Sequence, residues 1–161
     1  MKMNMLKSQV LLLVFVLVSI TVSAQMIGAG MQAAKSEKVQ FAANIHSRYY
    51  TYNGDVNFFL FGGLDYTGGS TKLSGLNVKA ISPTLDFASM VFGDYADRSV
   101  LWLSCDAGYL RNFNEKKSSG IVLTPNIMCA YSLFYIKTGY DMNVSRGNNQ
   151  FFVRLGLILS L

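Results

Sequence analysis

Phe151-Phe152-Val153-Arg154-Leu155-Gly156-Leu157-Ile158-Leu159-Ser160-Leu161 is the stretch from which the fold of this sequence can be read. Its odd positions, Phe151, Val153, Leu155, Leu157, Leu159 and Leu161, are all apolar, whereas the even ones include Arg154, Gly156 and Ser160. Side chains alternate across an extended strand, so this segment reads as a strand with one apolar and one mixed face. Just before it, Phe134, Ile136, Thr138, Tyr140 and Met142 alternate in the same way with Tyr135, Lys137, Gly139, Asp141 and Asn143. Each segment runs about ten residues, the length a tilted strand needs to cross a hydrocarbon layer.

Working outward, Val56, Phe58, Leu60, Leu64 and Tyr66 oppose Asn57, Phe59, Gly63 and Asp65. Leu101, Leu103, Ala107 and Tyr109 oppose Trp102, Ser104, Asp106 and Gly108, and Val39, Phe41, Ala43 and Ile45 oppose Gln40, Asn44, His46 and Arg48. The spacing predicts strands over 26–33, 38–50, 55–66, 84–92, 99–111, 120–131, 133–143 and 151–161. Leu76, Val78 and Ala80 alternate too, which leaves open an extension of the fourth strand back through Pro83. Eight strands are an even number that can close into a small barrel without an open edge. Gly63-Leu64, Gly108-Tyr109 and Gly139-Tyr140 each set an inward glycine before an outward apolar residue on strands expected to run the same way.

The N-terminus reads as a removable secretory signal. Lys2 and Lys7 precede the apolar run Val10–Val18, and Val22-Ser23-Ala24 offers the small residue at which cleavage is expected. The apolar stretch is shorter than the ~18 residues of a spanning-helix candidate. Removing 24 of the 161 residues leaves 137, one domain, with 12 basic and 9 acidic residues and a net charge of +3. A charge so mild and scattered gives no footprint for nucleic acid. Charged residues make up 14% of the chain against about 25% in soluble domains, and aromatics 13%, so something other than water is expected to face much of the surface.

Alternation alone does not separate a membrane barrel from a soluble one. The second face decides: Asn57, Phe59, Phe61 and Gly63, or Trp102, Ser104, Asp106 and Gly108, suit a narrow packed lumen better than open water. The signal sequence, the alternating strands and the ending Gln150–Leu161 resemble the small outer-membrane β-barrel proteins, the porin-like OmpA/OmpX-like group. The expected fold is thus all-β, an eight-stranded antiparallel up-and-down transmembrane β-barrel (25–161) after a cleaved signal peptide (1–24). The resemblance implies the outer membrane of a diderm bacterium, with outer-membrane lipid as partner and the connections 34–37, 67–83, 112–119 and 144–150 facing outside. Short turns are expected at the opposite end.

Function is less legible. The leading expectation is a non-enzymatic structural, adhesive or partner-binding role, with another envelope protein met through loops 67–83 and 112–119. Asp65, Asp106, Lys137, Asp141 and Arg154 are expected to point inward, either as a selective or ligand-binding interior or as ion pairs plugging a narrow lumen. The alternatives are a lipid-modifying enzyme using His46, since His46-Ser47 resembles the pair of outer-membrane lipid A deacylases, a secreted soluble barrel binding a small apolar ligand, and a channel. Neighbouring strand residues point oppositely, which counts against the dyad. Cys105 and Cys129 are expected to face each other across a hairpin centred near 117, as two lipid-facing thiols or as a disulfide. Two Cys and one distant His give no metal spacing, and no nucleotide-binding motif occurs, so neither metal nor cofactor is expected. Tyr49, Tyr66, Tyr109 and Tyr140 are expected near strand ends, where aromatic girdles form.

Overall fold

A computed structural model describes residues 26–34, 39–54, 56–69, 73–93, 99–114 and 116–160, so the expected signal peptide lies outside the described residues. Eight strands form a closed barrel in chain order. They are β1 (Met26–Ala34), β2 (Gln40–Tyr52), β3 (Asn57–Thr67), β4 (Gly75–Asp86), β5 (Ser99–Arg111), β6 (Gly120–Tyr131), β7 (Phe134–Asn143) and β8 (Asn148–Ser160). Every neighbour is antiparallel, and β1 closes the ring by pairing with β8 from Met26↔Ser160 to Ala34↔Phe152. The short glycine-rich first segment is therefore laddered on both sides, against β2 and β8.

Three sequence expectations are corrected. The fourth strand is not 84–92: β4 runs Gly75–Asp86, and Ala88–Phe92 is a helix, α1. Asp86 ends the strand and starts the turn, its Oδ1 accepting the Ala88 N–H at 2.9 Å. The loop expected over 67–83 accordingly shrinks to 68–74, and the last connection to 144–147. The expected length asymmetry fails as well, because the longest connection, 87–98, lies at the rim that carries the first residue of β1 and the last of β8. We call this the terminal rim and the opposite one the far rim. The cysteines do not face each other either. The β5–β6 register pairs Cys105 with Pro125 and Leu101 with Cys129, and both thiols are free.

The two faces of the wall have inverted polarity. Inward positions bury Gln32, Gln40, Asn44, His46, Asp65, Lys79, Asp106, Thr124, Asn126, Lys137 and Arg154. Outward positions expose Met31, Val78, Ile81, Leu103, Ile127, Ile136, Leu155 and Leu157. Aromatics flank this aliphatic belt. Phe41, Tyr66, Tyr109, Tyr140 and Phe151 lie toward the far rim, and Tyr49, Tyr50, Tyr52, Tyr131 and Phe134 toward the terminal rim, all exposed. The four tyrosines picked out by the alternation thus lie on the outside toward strand ends, Tyr49 in the terminal band and Tyr66, Tyr109 and Tyr140 in the far one.

Closing eight strands leaves an interior just wide enough for side chains, and glycines decide which ones fit. Five large inward residues sit directly across from an inward glycine: Asn44 from Gly28, His46 from Gly63, Lys79 from Gly108, Tyr135 from Gly156 and Phe152 from Gly139. A Cβ at Gly139 would meet the Phe152 ring at 2.9 Å and Pro125 O at 2.9 Å. On the outside, Tyr49 sits at a β-bulge between Arg48 and Tyr50, and its ring covers Gly62, where a Cβ would overlap the phenol. Gly147, with φ 72°, closes the β7–β8 turn in the left-handed region that glycine enters at no steric cost.

Inside, packing changes along the axis. Near the terminal rim Met26, Met128, Ala130, Tyr135 and Ile158 form an apolar cluster with Val100 and Trp102 against it. Trp102 meets the Phe61 ring at 5.0 Å and the Phe59 ring at 6.0 Å. A smaller cluster of Leu73, Leu110 and Val122 fills the far mouth, with Leu73 reaching in from the β3–β4 connection. Gly139→Val is expected to overpack the lumen and cost about 1–3 kcal/mol. Ala29→Val, on the exposed face, is expected to stay within about 0.5 kcal/mol. The urea midpoint of the folded barrel, compared between the two variants, checks both.

Candidate functional site: the charge layer of the lumen

Between the two apolar clusters lies a layer of charge. Asp65 on β3, Lys79 on β4, Asp106 on β5, Lys137 on β7 and Arg154 on β8 all project inward because each falls on the inward parity of its strand. Arg154 Nη1 donates to Asp65 Oδ1 at 2.8 Å, and Lys79 Nζ lies 3.0 Å from Asp65 Oδ2. Lys79 also pairs with Asp106 Oδ2, which Lys137 Nζ approaches at 3.3 Å. The ion pairs form one continuous chain across the lumen, Lys137–Asp106–Lys79–Asp65–Arg154.

Neutral groups complete the hydrogen bonding. Gln32 Oε1 accepts from Arg154 Nε at 3.0 Å and from Nη2 at 2.7 Å, and Ser82 Oγ donates to Asp106 Oδ1 at 2.5 Å. Asp141, half-buried, takes a hydrogen bond from Thr124 Oγ1 at 2.7 Å. Among the described residues the lumen therefore holds three cations, Lys79, Lys137 and Arg154, and three carboxylates, Asp65, Asp106 and Asp141. Formal charge balances, which is what makes burial of six ionisable groups tolerable: an isolated buried ion is costly, whereas a paired and hydrogen-bonded one is held.

Among the described residues two small cavities flank the layer. One, of about 30 Å³, is bordered by Asp65, Asn77, Lys79, Asp141 and Arg154 on the far side. The other, of about 20 Å³, is bordered by Asn44, His46, Trp102, Asn126 and Lys137 on the terminal side. Asn44 Oδ1, His46 Nε2 and Trp102 Nε1 find no hydrogen-bond partner among the described protein atoms, and their residues all border this second cavity, which has room for a water. Neither volume admits more than one or two waters.

All five lumen residues expected from the sequence, Asp65, Asp106, Lys137, Asp141 and Arg154, thus lie inside, four of them in one ion-pair chain. Lys79, the cation both Asp65 and Asp106 share, was not anticipated. It falls within the stretch read as loop 67–83, although alternation of Leu76 and Val78 implies inward neighbours at 77 and 79. His46 is buried inside while Ser47 lies on the other face of β2, so the two do not form a dyad. No group of three or more His, Cys, Asp or Glu residues among those described is arranged to hold a metal. Comparison of the chain with protein-family models, with curated proteins and with solved structures finds no match.

Asp106→Asn is expected to leave Lys79 and Lys137 facing each other without their shared carboxylate and to destabilise the barrel by about 3–5 kcal/mol. The double change Asp106→Leu with Lys137→Met removes opposite charges together, and its urea midpoint is expected to recover part of that loss.

Proposed function

We propose that this chain is an integral β-barrel of a bacterial outer membrane, with a non-enzymatic structural, adhesive or partner-binding role carried by the connections at its far rim. The observation that carries the reading is the inverted polarity: charges and amides inside, and an aliphatic belt between two aromatic bands outside. Soluble monomers rarely expose contiguous apolar patches beyond a few hundred Å², and here the exposed apolar face runs around the barrel. Among outward strand positions of the described residues the one charge is Arg111, at the far end of β5.

Dimensions agree. The 12 residues of β6, rising ~3.3 Å each and tilted by ~45°, span about 28 Å, close to the ~25–30 Å of an outer-membrane apolar band. A closed ring also meets the condition that no backbone group faces lipid unpaired. The filled lumen argues against a conducting pore and against a ligand-binding soluble barrel, since neither an ion with its hydration shell nor a small apolar molecule fits cavities of about 30 and 20 Å³. With lumen and wall committed to packing, the connections at the rims are the surface left for recognition, and the proposed role is assigned to those of the far rim.

Leu155→Arg tests the environment of the belt directly. Leu155 is 58% exposed. In water the change is expected to be nearly neutral, within about 0.5 kcal/mol; in a bilayer it is expected to cost about 2–4 kcal/mol. Fractionation supplies the second measurement: the chain is expected to stay with outer membranes through a high-salt wash and to show heat-dependent gel mobility. Release into the soluble fraction, with Leu155→Arg tolerated, would refute the proposal.

A further inference from the structure

We infer that the far rim is a docking surface for lipid headgroups that carry unneutralised phosphate, an inference that rests on the membrane reading above. Charge in this protein is partitioned along the barrel axis. The lumen cancels internally, as described. Among the described residues the far-rim connections and strand ends carry Arg111, Lys116, Lys117 and Arg146 with no carboxylate, a net of +4. Among the same described residues the terminal rim carries Arg48 against Asp86, a net of zero. The mild overall charge thus conceals one strongly basic end.

Three of the far-rim cations are exposed, and two of them sit on turns held to each other by hydrogen bonds. Arg111 lies on the outward face of β5, one pleat beyond the band residue Tyr109. Lys117 sits on the 3-10 turn Lys116–Ser118, and Arg146 in the β7–β8 turn. These two turns are stitched together: Asn143 Nδ2 donates to Ser118 O at 2.7 Å, Asn148 Nδ2 to Ser118 Oγ at 3.3 Å, and the Ile121 N–H to Ser145 Oγ at 3.0 Å. Among the described residues every ion pair lies in the lumen, so Arg111, Lys117 and Arg146 keep their charge for an outside partner.

Position selects the partner. These cations sit at the far rim, where the aromatic band ends, which in a bilayer is the depth of the headgroups rather than of the bulk solvent. Guanidinium forks match phosphate oxygens geometrically, and each Lys or Arg near an anionic surface strengthens attachment roughly fivefold. A dissolved polyanion or an acidic protein would meet the same charge only from above, without the belt below to hold it at that depth.

The test uses the full mature chain inserted into phosphatidylcholine vesicles containing a minor fraction of diphosphoryl lipid A, with the ratio of the two lipids that co-purify with the barrel as readout. Wild type is expected to enrich the phosphorylated lipid on the order of tenfold, and to lose that preference in high salt, where screening shortens to a few ångströms. The triple variant Arg111→Gln, Lys117→Gln, Arg146→Gln is expected to lose most of the enrichment while keeping wild-type heat-dependent gel mobility. Equal enrichment in wild type and variant, equal retention of dephosphorylated lipid A, or displacement by soluble inorganic phosphate at matched ionic strength would overturn the inference while leaving the membrane assignment standing. A chain that never enters the vesicles overturns the membrane assignment itself.

Discussion

The seam between β1 and β8 is the constraint on which everything else in this molecule depends. A sheet of eight strands with a free edge would expose rows of unpaired backbone N–H and C=O groups, and neither an oily exterior nor a buried charge layer could then be maintained. Pairing Met26–Ala34 against Phe152–Ser160 removes the edge, so that the wall satisfies its own backbone all the way round. Only then are the two sets of side chains free to be sorted by face. Closure also fixes the bore, and the bore fixes what can lie inside it.

Within that bore, polarity and volume are solved together. In the ion chain from Lys137 to Arg154 two pairs, Lys137–Asp106 and Arg154–Asp65, link strands that are not neighbours in the sheet, and the two through Lys79 link adjacent ones. Buried pairs of this kind add little net stability over a well-packed apolar filling. Their value here lies in specificity: each charge has its partner only when the strands meet in the observed register, because a slip of one residue would turn Asp65 or Lys79 to the outside. Apolar clusters lie on either side of the layer.

Much of this architecture was legible in the sequence. β5 and β6 occupy the predicted 99–111 and 120–131, because uninterrupted period-2 alternation needs no further information. β4 was misplaced for a physical reason: a bulge between Lys79 and Ile81 switches the inward parity from odd to even, so that Ala80 and Ile81 are exposed in succession and single-phase alternation breaks there. The apolar run Ala88–Phe92 then looked like the missing strand, although it curls into a helix beside β5. Register is subtler still. The two cysteines were expected opposite each other, but the hairpin turns two residues earlier than residue 117, and no local pattern encodes that offset. For the charge layer, parity alone identified five inward ionisable residues. It could not reveal which of them would touch, since contacts across the lumen join strands far apart in the chain.

The glycine pairs have a consequence for how such an interior changes. Gly63 with His46, Gly108 with Lys79 and Gly139 with Phe152 each divide one fixed parcel of space between two adjacent strands. Neither member of a pair is then an independent variable. Enlarging one partner demands shrinking the other, so viable alternatives to this lumen are reached by reciprocal exchanges, small for large on one strand and large for small on the next. Diversification of the interior is in this sense a matter of permuting side chains around a constant cross-section, while the outer wall varies freely so long as it stays oily.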